Sequence, residues 1–181
     1  MNNICLIDTS VFLNILDVPS KNSDREEVFE SFETYTKLGC EFIIPVATII
    51  ETGNHIAQNG DGNTRRQVAQ DFYELLEKSY ANEAPFIFSS IFSNEQLREW
   101  IALFPDHAGR NKSPQKTTEG TSLGDLTIIK EFEMLCELHP RADIFIWSLD
   151  CDLKIYIRDV KKIGKLSFPK INIIHLIRNA L

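Results

Sequence analysis

The chain is sparing in the residues from which zinc and redox sites are usually built. Its 181 residues include four cysteines, Cys5, Cys40, Cys136 and Cys151, and four histidines, His55, His107, His139 and His175, all dispersed. No two cysteines stand at metal-ligand spacing, and three of the four lie in or beside apolar segments. Reduced, packed thiols are therefore expected rather than a disulfide framework or a zinc knuckle. Long apolar runs are missing too: none approaches the roughly 20 residues needed to cross a bilayer. The N-terminus lacks the succession of basic, apolar and small residues that marks a secretory signal. The expectation is a soluble cytoplasmic protein without a membrane contact. Low-complexity tracts, internal repeats and linkers are also absent, and 43% of the residues are hydrophobic. Such a chain can bury one core, as a single domain over 1–181.

A formal charge of −7 argues against coating nucleic acid with the whole surface. The charge is uneven, however. Residues 1–53 hold nine acids and three bases, whereas residues 154–170 hold six bases, Lys154, Arg158, Lys161, Lys162, Lys165 and Lys170, against Asp159 alone. That basic run reads either as solvated surface or as a local polyanion contact.

Apolar periodicity predicts alternating strands and helices. "ICLI" reads as a buried strand followed by a short helix over 11–16. Apolar residues at Val28, Phe29, Phe32, Tyr35 and Leu38 predict a helix opened by Ser23 or Asp24 and stopped at Gly39. "CEFIIP" predicts a strand, "VATIIETGNHIAQ" a helix, and residues 64–80 a further amphipathic helix. "APFIFSSIF" fits either a strand or a loop with buried aromatics; 94–104 reads as helix, and the polar, turn-rich 105–121 as a mobile loop. "SLGDLTIIKEFEMLCELHP" is a helix entering near Leu123, "ADIFIWS" a buried strand, "DCDLKIYIRDV" a turn and helix, and "KINIIHL" a last strand. Strands separated by helices imply right-handed crossovers and a mainly parallel sheet, hence an α/β fold.

In such sheets ligands gather beyond the carboxyl ends of the strands. Two predicted strands run into acid there: "ICLID" at Asp8 and "IFIWSLD" at Asp150, with Asp152 two residues on. Glu51 lies in the helix after the "CEFII" strand, and Asp125 starts a helix whose remaining turns are strongly apolar. Each acid has an ordinary explanation. Asp8 and Asp150 can cap helices, Asp125 can sit at the positive end of a helix dipole, and Glu51 can face solvent. The topology nevertheless brings all four to one sheet edge, where clustered carboxylates repel unless cations intervene. All-oxygen donors suit Mg²⁺ or Mn²⁺, and such ions promote phosphoryl hydrolysis.

The segments "ICLIDTSVF", "IIPVATIIETG", "SLGDLTIIKEFEML" and "IFIWSLDCDL" resemble the four acidic motifs of PIN domains, in the same order and across nearly the whole chain. The resemblance implies a three-layer α/β/α sandwich and metal-dependent cleavage of RNA. It implies that Asp8, Glu51, Asp125 and Asp150 are catalytic and metal-binding, that Asp152 is an additional acid, and that Ser10 supports Asp8. The chain departs from the most compact members in the elaborated stretch at about 56–121, which bears on substrate and partner. Arg110, Lys112, Lys116, Lys154, Arg158, Lys161 and Lys162 are the candidates for RNA phosphate contacts.

The leading expectation is thus a Mg²⁺- or Mn²⁺-dependent endoribonuclease, either the toxin of a toxin–antitoxin pair or an RNA-processing or defence nuclease. Its partners would be RNA and an antitoxin or a second copy. A catalytically silent PIN-like module that binds RNA or protein is the alternative. An aspartyl-phosphate phosphatase using Asp8 is disfavoured, because Ser10 occupies the position of the general-acid aspartate that this chemistry requires.

Overall fold

A computed structural model describes residues 3–89, 92–112 and 118–158 of the chain. The elements run β1 (Asn3–Ile7), α1 (Thr9–Ile15), α2 (Arg25–Lys37), β2 (Cys40–Ile44), α3 (Val46–Ala57), α4 (Gly62–Tyr80), β3 (Phe86–Phe88), α5 (Asn94–Ala108), α6 (Leu123–Leu138), β4 (Asp143–Trp147) and β5 (Ile157–Arg158). The five strands form one sheet in the order β3-β2-β1-β4-β5. The first four are parallel and β5 is antiparallel to β4.

Strand alternation decides what each helix covers. Ile4, Leu6, Ile144 and Ile146 point to one face, where Ile128, Ile129 and Phe132 of α6 close a core over them. Cys5, Ile7, Phe42, Ile44, Phe86 and Trp147 point to the other, and there meet Phe12 of α1, Phe32 of α2 and Leu75 of α4. Phe32 stacks on Phe42 with ring centroids 4.5 Å apart. Helices thus pack on both faces of a mainly parallel sheet, as an α/β fold requires, and the arrangement is compatible with a three-layer sandwich. No helix among the described residues is long and apolar enough to cross a membrane.

Two expectations are corrected. The segment after Asp150 is a turn leading into β5, not a helix, and the Ile146 N–H donates to the Tyr156 carbonyl at 3.1 Å. Leu153, Ile155 and Ile157 recur at every second position, which is a strand's period. Helix α5 continues through Pro105 to Ala108 instead of giving way to a loop, and the Gly109 N–H closes its last turn on the Pro105 carbonyl at 3.1 Å. The "APFIFSSIF" ambiguity resolves as a three-residue strand, β3. "KINIIHL", Lys116, Lys161 and Lys162 lie outside the described residues.

Candidate functional site

Parallel register brings the ends of β1 and β4 side by side. Ile7 pairs with Trp147, so the next residues, Asp8 and Ser148, face one another. Asp8 caps α1 by accepting from the Ser10 N–H at 3.3 Å. Its Oδ2 also accepts from Ser10 Oγ at 2.6 Å and from Ser148 Oγ at 2.8 Å. The Leu149 N–H donates to Ser10 Oγ and the Asp150 N–H to Ser148 Oγ, at 3.0 and 2.9 Å. The two hydroxyls therefore tie the β1 end to the turn that carries Asp150. Asp8 is only 3% exposed, and burial raises its pKa despite the opposing hydrogen bonds from Ser10 and Ser148. Capping and cleft-lining are both duties of this one carboxylate.

Glu51 sits in the second turn of α3, whose Thr48 hydroxyl donates to the Ile7 carbonyl at 2.9 Å and so locks the helix onto the end of β1. The Thr9 hydroxyl donates to Glu51 Oε2 at 2.9 Å. Glu51 Oε1 rests directly against Gly124 of α6, where an added Cβ would lie 1.8 Å from it. Burial, with the Asp125 and Asp8 charges, raises the Glu51 pKa, while Thr9 and Lys112 oppose the shift. Asp125 is the third residue of α6, 7% exposed, and its N–H donates to the capping Ser122 hydroxyl at 3.0 Å.

A tethered cation lies against this cluster. Lys112 Nζ is 2.7 Å from Asp125 Oδ2 and 3.4 Å from Asp152 Oδ2. Burial alone would depress its pKa, but Asp125, Asp152 and Asp150 together hold it above the usual value. Its backbone is fixed through a 2.7 Å hydrogen bond from its N–H to the Glu119 carbonyl. Gly120 then packs against the end of α5 so closely that a Cβ would meet the Ala108 carbonyl oxygen at 2.0 Å.

Asp8, Ser10, Glu51, Lys112, Asp125 and Asp150 line one open cleft of about 610 Å³. It continues along α3 past Asn54, His55 and Gln58 to Lys21. Burial and the Lys21 charge lower the His55 pKa. Asp152 reaches the cluster through Lys112. Arg110 is exposed and does not line the cleft, and Lys154 lines a separate pocket beside Trp147. Arg158 also falls outside the cleft. Its guanidinium donates to the carbonyls of Cys136, His139 and Ala142, so it staples the end of α6 to β4, a structural use in place of the expected phosphate contact. Ser148 and Lys21 were not singled out from the sequence, and His55 was read only as one of the dispersed histidines; of the three, only Ser148 had a signal, being a hydroxyl one step past a strand that pairs with β1.

No family model, no curated protein and no solved structure matches the chain. The donors at the acidic end of the cleft, the carboxylates of Asp8, Glu51, Asp125 and Asp150 with the hydroxyls of Thr9 and Ser10, fit a hard divalent cation, while His55 lines the cleft further along α3. Among the described residues, though, no three Asp, Glu, His or Cys side chains are placed to share a single ion. The acids share a cleft without converging on one point, and the ammonium of Lys112 lies against Asp125 and Asp152.

Proposed function

We propose that the chain is a Mg²⁺- or Mn²⁺-dependent endoribonuclease with a PIN-like site. The observation that carries this reading is the gathering of Asp8, Glu51, Asp125 and Asp150 at one sheet edge, two of them with raised pKa values, around a cleft with a lysine drawn into it. Such crowding favours a cation, and the oxygen donors of the four acids favour a hard one. A bound ion of this kind supplies Lewis-acid polarisation of the phosphate and lowers the pKa of water.

The protein's own groups have separable duties in this proposal. Asp8, Asp125 and Asp150 would hold metal, and Glu51 would hold metal or orient water, with Asp152 as an outlying acid. Ser10 and Ser148 fix the Asp8 carboxylate, leaving Oδ1 as the atom without a hydrogen bond from either hydroxyl. Lys112 is positioned to neutralise a phosphate oxygen entering the cleft, and the polar wall from Asn54 to Gln58 offers a path for the flanking strand. The cellular setting we favour is a toxin held by an antitoxin, or a processing or defence nuclease.

One observation favours the silent module instead: the Lys112 ion pair already neutralises part of the cluster, and no three ligands converge. Incubation of the purified protein with mixed single-stranded RNA in Mn²⁺, Mg²⁺ or EDTA, alongside Asp125→Asn, decides between them. Metal-dependent cleavage lost in the variant supports the nuclease. Cleavage that survives in Asp125→Asn refutes the site, and no cleavage together with no calorimetric metal binding leaves the module.

A further inference from the structure

Helix α6 covers β1 and β4, and the same face of the sheet is left partly open at its other edge. Ile43 of β2 and Ile87 of β3 pair in register and point to that face. With Phe88, Phe92, Met134, Leu135 and Leu138 they line an apolar groove of about 330 Å³ between β3, α5 and α6. Ile87 is 51% exposed and Leu138, at the groove's margin, 64% exposed. β3 is the last strand in the sheet order, so its outer edge has no strand neighbour among the described residues.

Against these apolar walls stands one carboxylate. Glu131 is 1% exposed and lines the groove, and neither of its oxygens has a hydrogen-bond partner among the described residues. The Ser89 hydroxyl is near enough to ease the charge, yet its geometry makes no hydrogen bond to either oxygen, and it too is buried without a partner. Buried polar groups are almost always satisfied, and an orphaned carboxylate is costly. What would satisfy it is a donor on an apolar stem. The Arg and Lys side chains have that build, methylenes to match the walls and a charged head to meet the oxygens. A polypeptide is the carrier that also uses the β3 edge, which has no strand beside it among the described residues and where an extended segment gains main-chain hydrogen bonds. A net charge of −7 complements a basic partner.

We propose that this groove docks a partner polypeptide which inserts an arginine or lysine against Glu131 and lays apolar neighbours over Ile87 and Leu138. The site is separate from the acidic cleft, and its test does not depend on nuclease activity. The probe is the capped peptide Thr-Val-Arg-Val-Thr, titrated into the full chain by NMR beside its citrulline counterpart. The arginine peptide should bind at least about tenfold tighter, the scale of one charge-assisted hydrogen bond. That preference should vanish in Glu131→Gln, with shifts centred on Ile87, Glu131 and Leu138. Leu138→Ala, at an exposed position, should weaken the peptide without disturbing the core, which keeps the test valid should Glu131→Gln fold poorly. Equal binding of the two peptides, or none up to their solubility limit, overturns the proposal. Butylguanidinium binding as tightly as the peptide makes this a small-amine site and overturns it as well. Self-association abolished by Ile87→Lys assigns the groove to a second copy, with the same consequence.

Discussion

Replacing Glu131 by glutamine removes a charge that the folded chain holds unfavourably. Burial pushes this carboxyl from its ordinary 4.5 up to about 7. A raised carboxyl pKa means that the folded state prefers the protonated form. The contribution to stability is therefore fully present below 4.5 and is lost as pH rises through about 7. At about 1.36 kcal/mol for each pH unit, the gap from 4.5 to about 7 corresponds to about 3 kcal/mol. Urea unfolding of wild type and Glu131→Gln, followed from about pH 4 to about pH 8, measures it directly.

The two proteins should unfold alike, apart from a constant offset, at the acidic end. The variant should gain up to about 3 kcal/mol on wild type by the alkaline end. Asp8 and Glu51, whose pKa values are also raised, appear in both proteins and cancel in the difference, as does His139, the other ionisable side chain lining the groove. A difference that stays flat with pH would show that Glu131 is solvated in the free protein, and the argument for an orphaned carboxylate would collapse. Saturating arginine peptide should flatten the wild-type profile, because it supplies the missing donors to the ionised form.

Asp8→Asn should abolish cleavage yet leave a folded protein that is more stable near neutral pH, since the native carboxyl is held above its ordinary pKa; thermal melts and a fluorogenic RNA assay check both, and full activity would refute the assignment. Gly124→Ala should separate activity from stability. The new methyl displaces the Glu51 carboxylate from Thr9 and lowers cleavage, while the first turn of α6 gains a part of the roughly 1 kcal/mol that alanine gains over glycine in a helix interior, so a lower melting temperature with unchanged turnover would contradict the placement. Lys112→Met should destabilise the protein in EDTA by up to about 3 kcal/mol through loss of the pairing with Asp125 and Asp152. It should also tighten Mn²⁺ binding by calorimetry, because a competing cation is gone; unchanged affinity would show that the ammonium and the ion do not share the cluster.

Much of this architecture was legible because the apolar runs are short and cleanly separated. "ICLI", "CEFII" and "DIFIW" read as buried strands, and the helices between them implied parallel crossovers, so a shared edge for Asp8, Glu51, Asp125 and Asp150 was expected from topology. Ser148 was obscured because its role is set by register: it matters only because Ile7 lies opposite Trp147. Lys112 was read as a phosphate contact on a polar loop, and its approach to Asp125 depends on the Lys112 to Glu119 backbone hydrogen bond and on Gly120 packing against α5, tertiary facts with no periodic trace. Arg158 misled for the opposite reason. Its place in a basic run suggested an exposed charge, yet the end of α6 leaves carbonyls that a guanidinium can reach, and that local demand takes it.

Asp8 and Glu131 show why burial alone does not identify what a carboxylate is for. Both are nearly inaccessible, at 3% and 1%. Asp8 receives two hydroxyls and a backbone N–H on one oxygen, donors that come from two strand ends and hold it in a fixed orientation toward a polar cleft. Glu131 receives none among the described residues and lies in a mainly apolar groove. The first pattern holds a carboxylate in one orientation, and in the proposed nuclease its remaining oxygen would meet a cation in the cleft. The second is what an anion shows when its donors must come from another molecule, so its demand is for a donor with an apolar stem. Helix α6 carries Asp125 and Glu131 six residues apart, about 9 Å along its axis. One helix therefore contributes to both sites, and a variant at either position should be assayed for cleavage and for peptide binding before an effect is assigned to one of them.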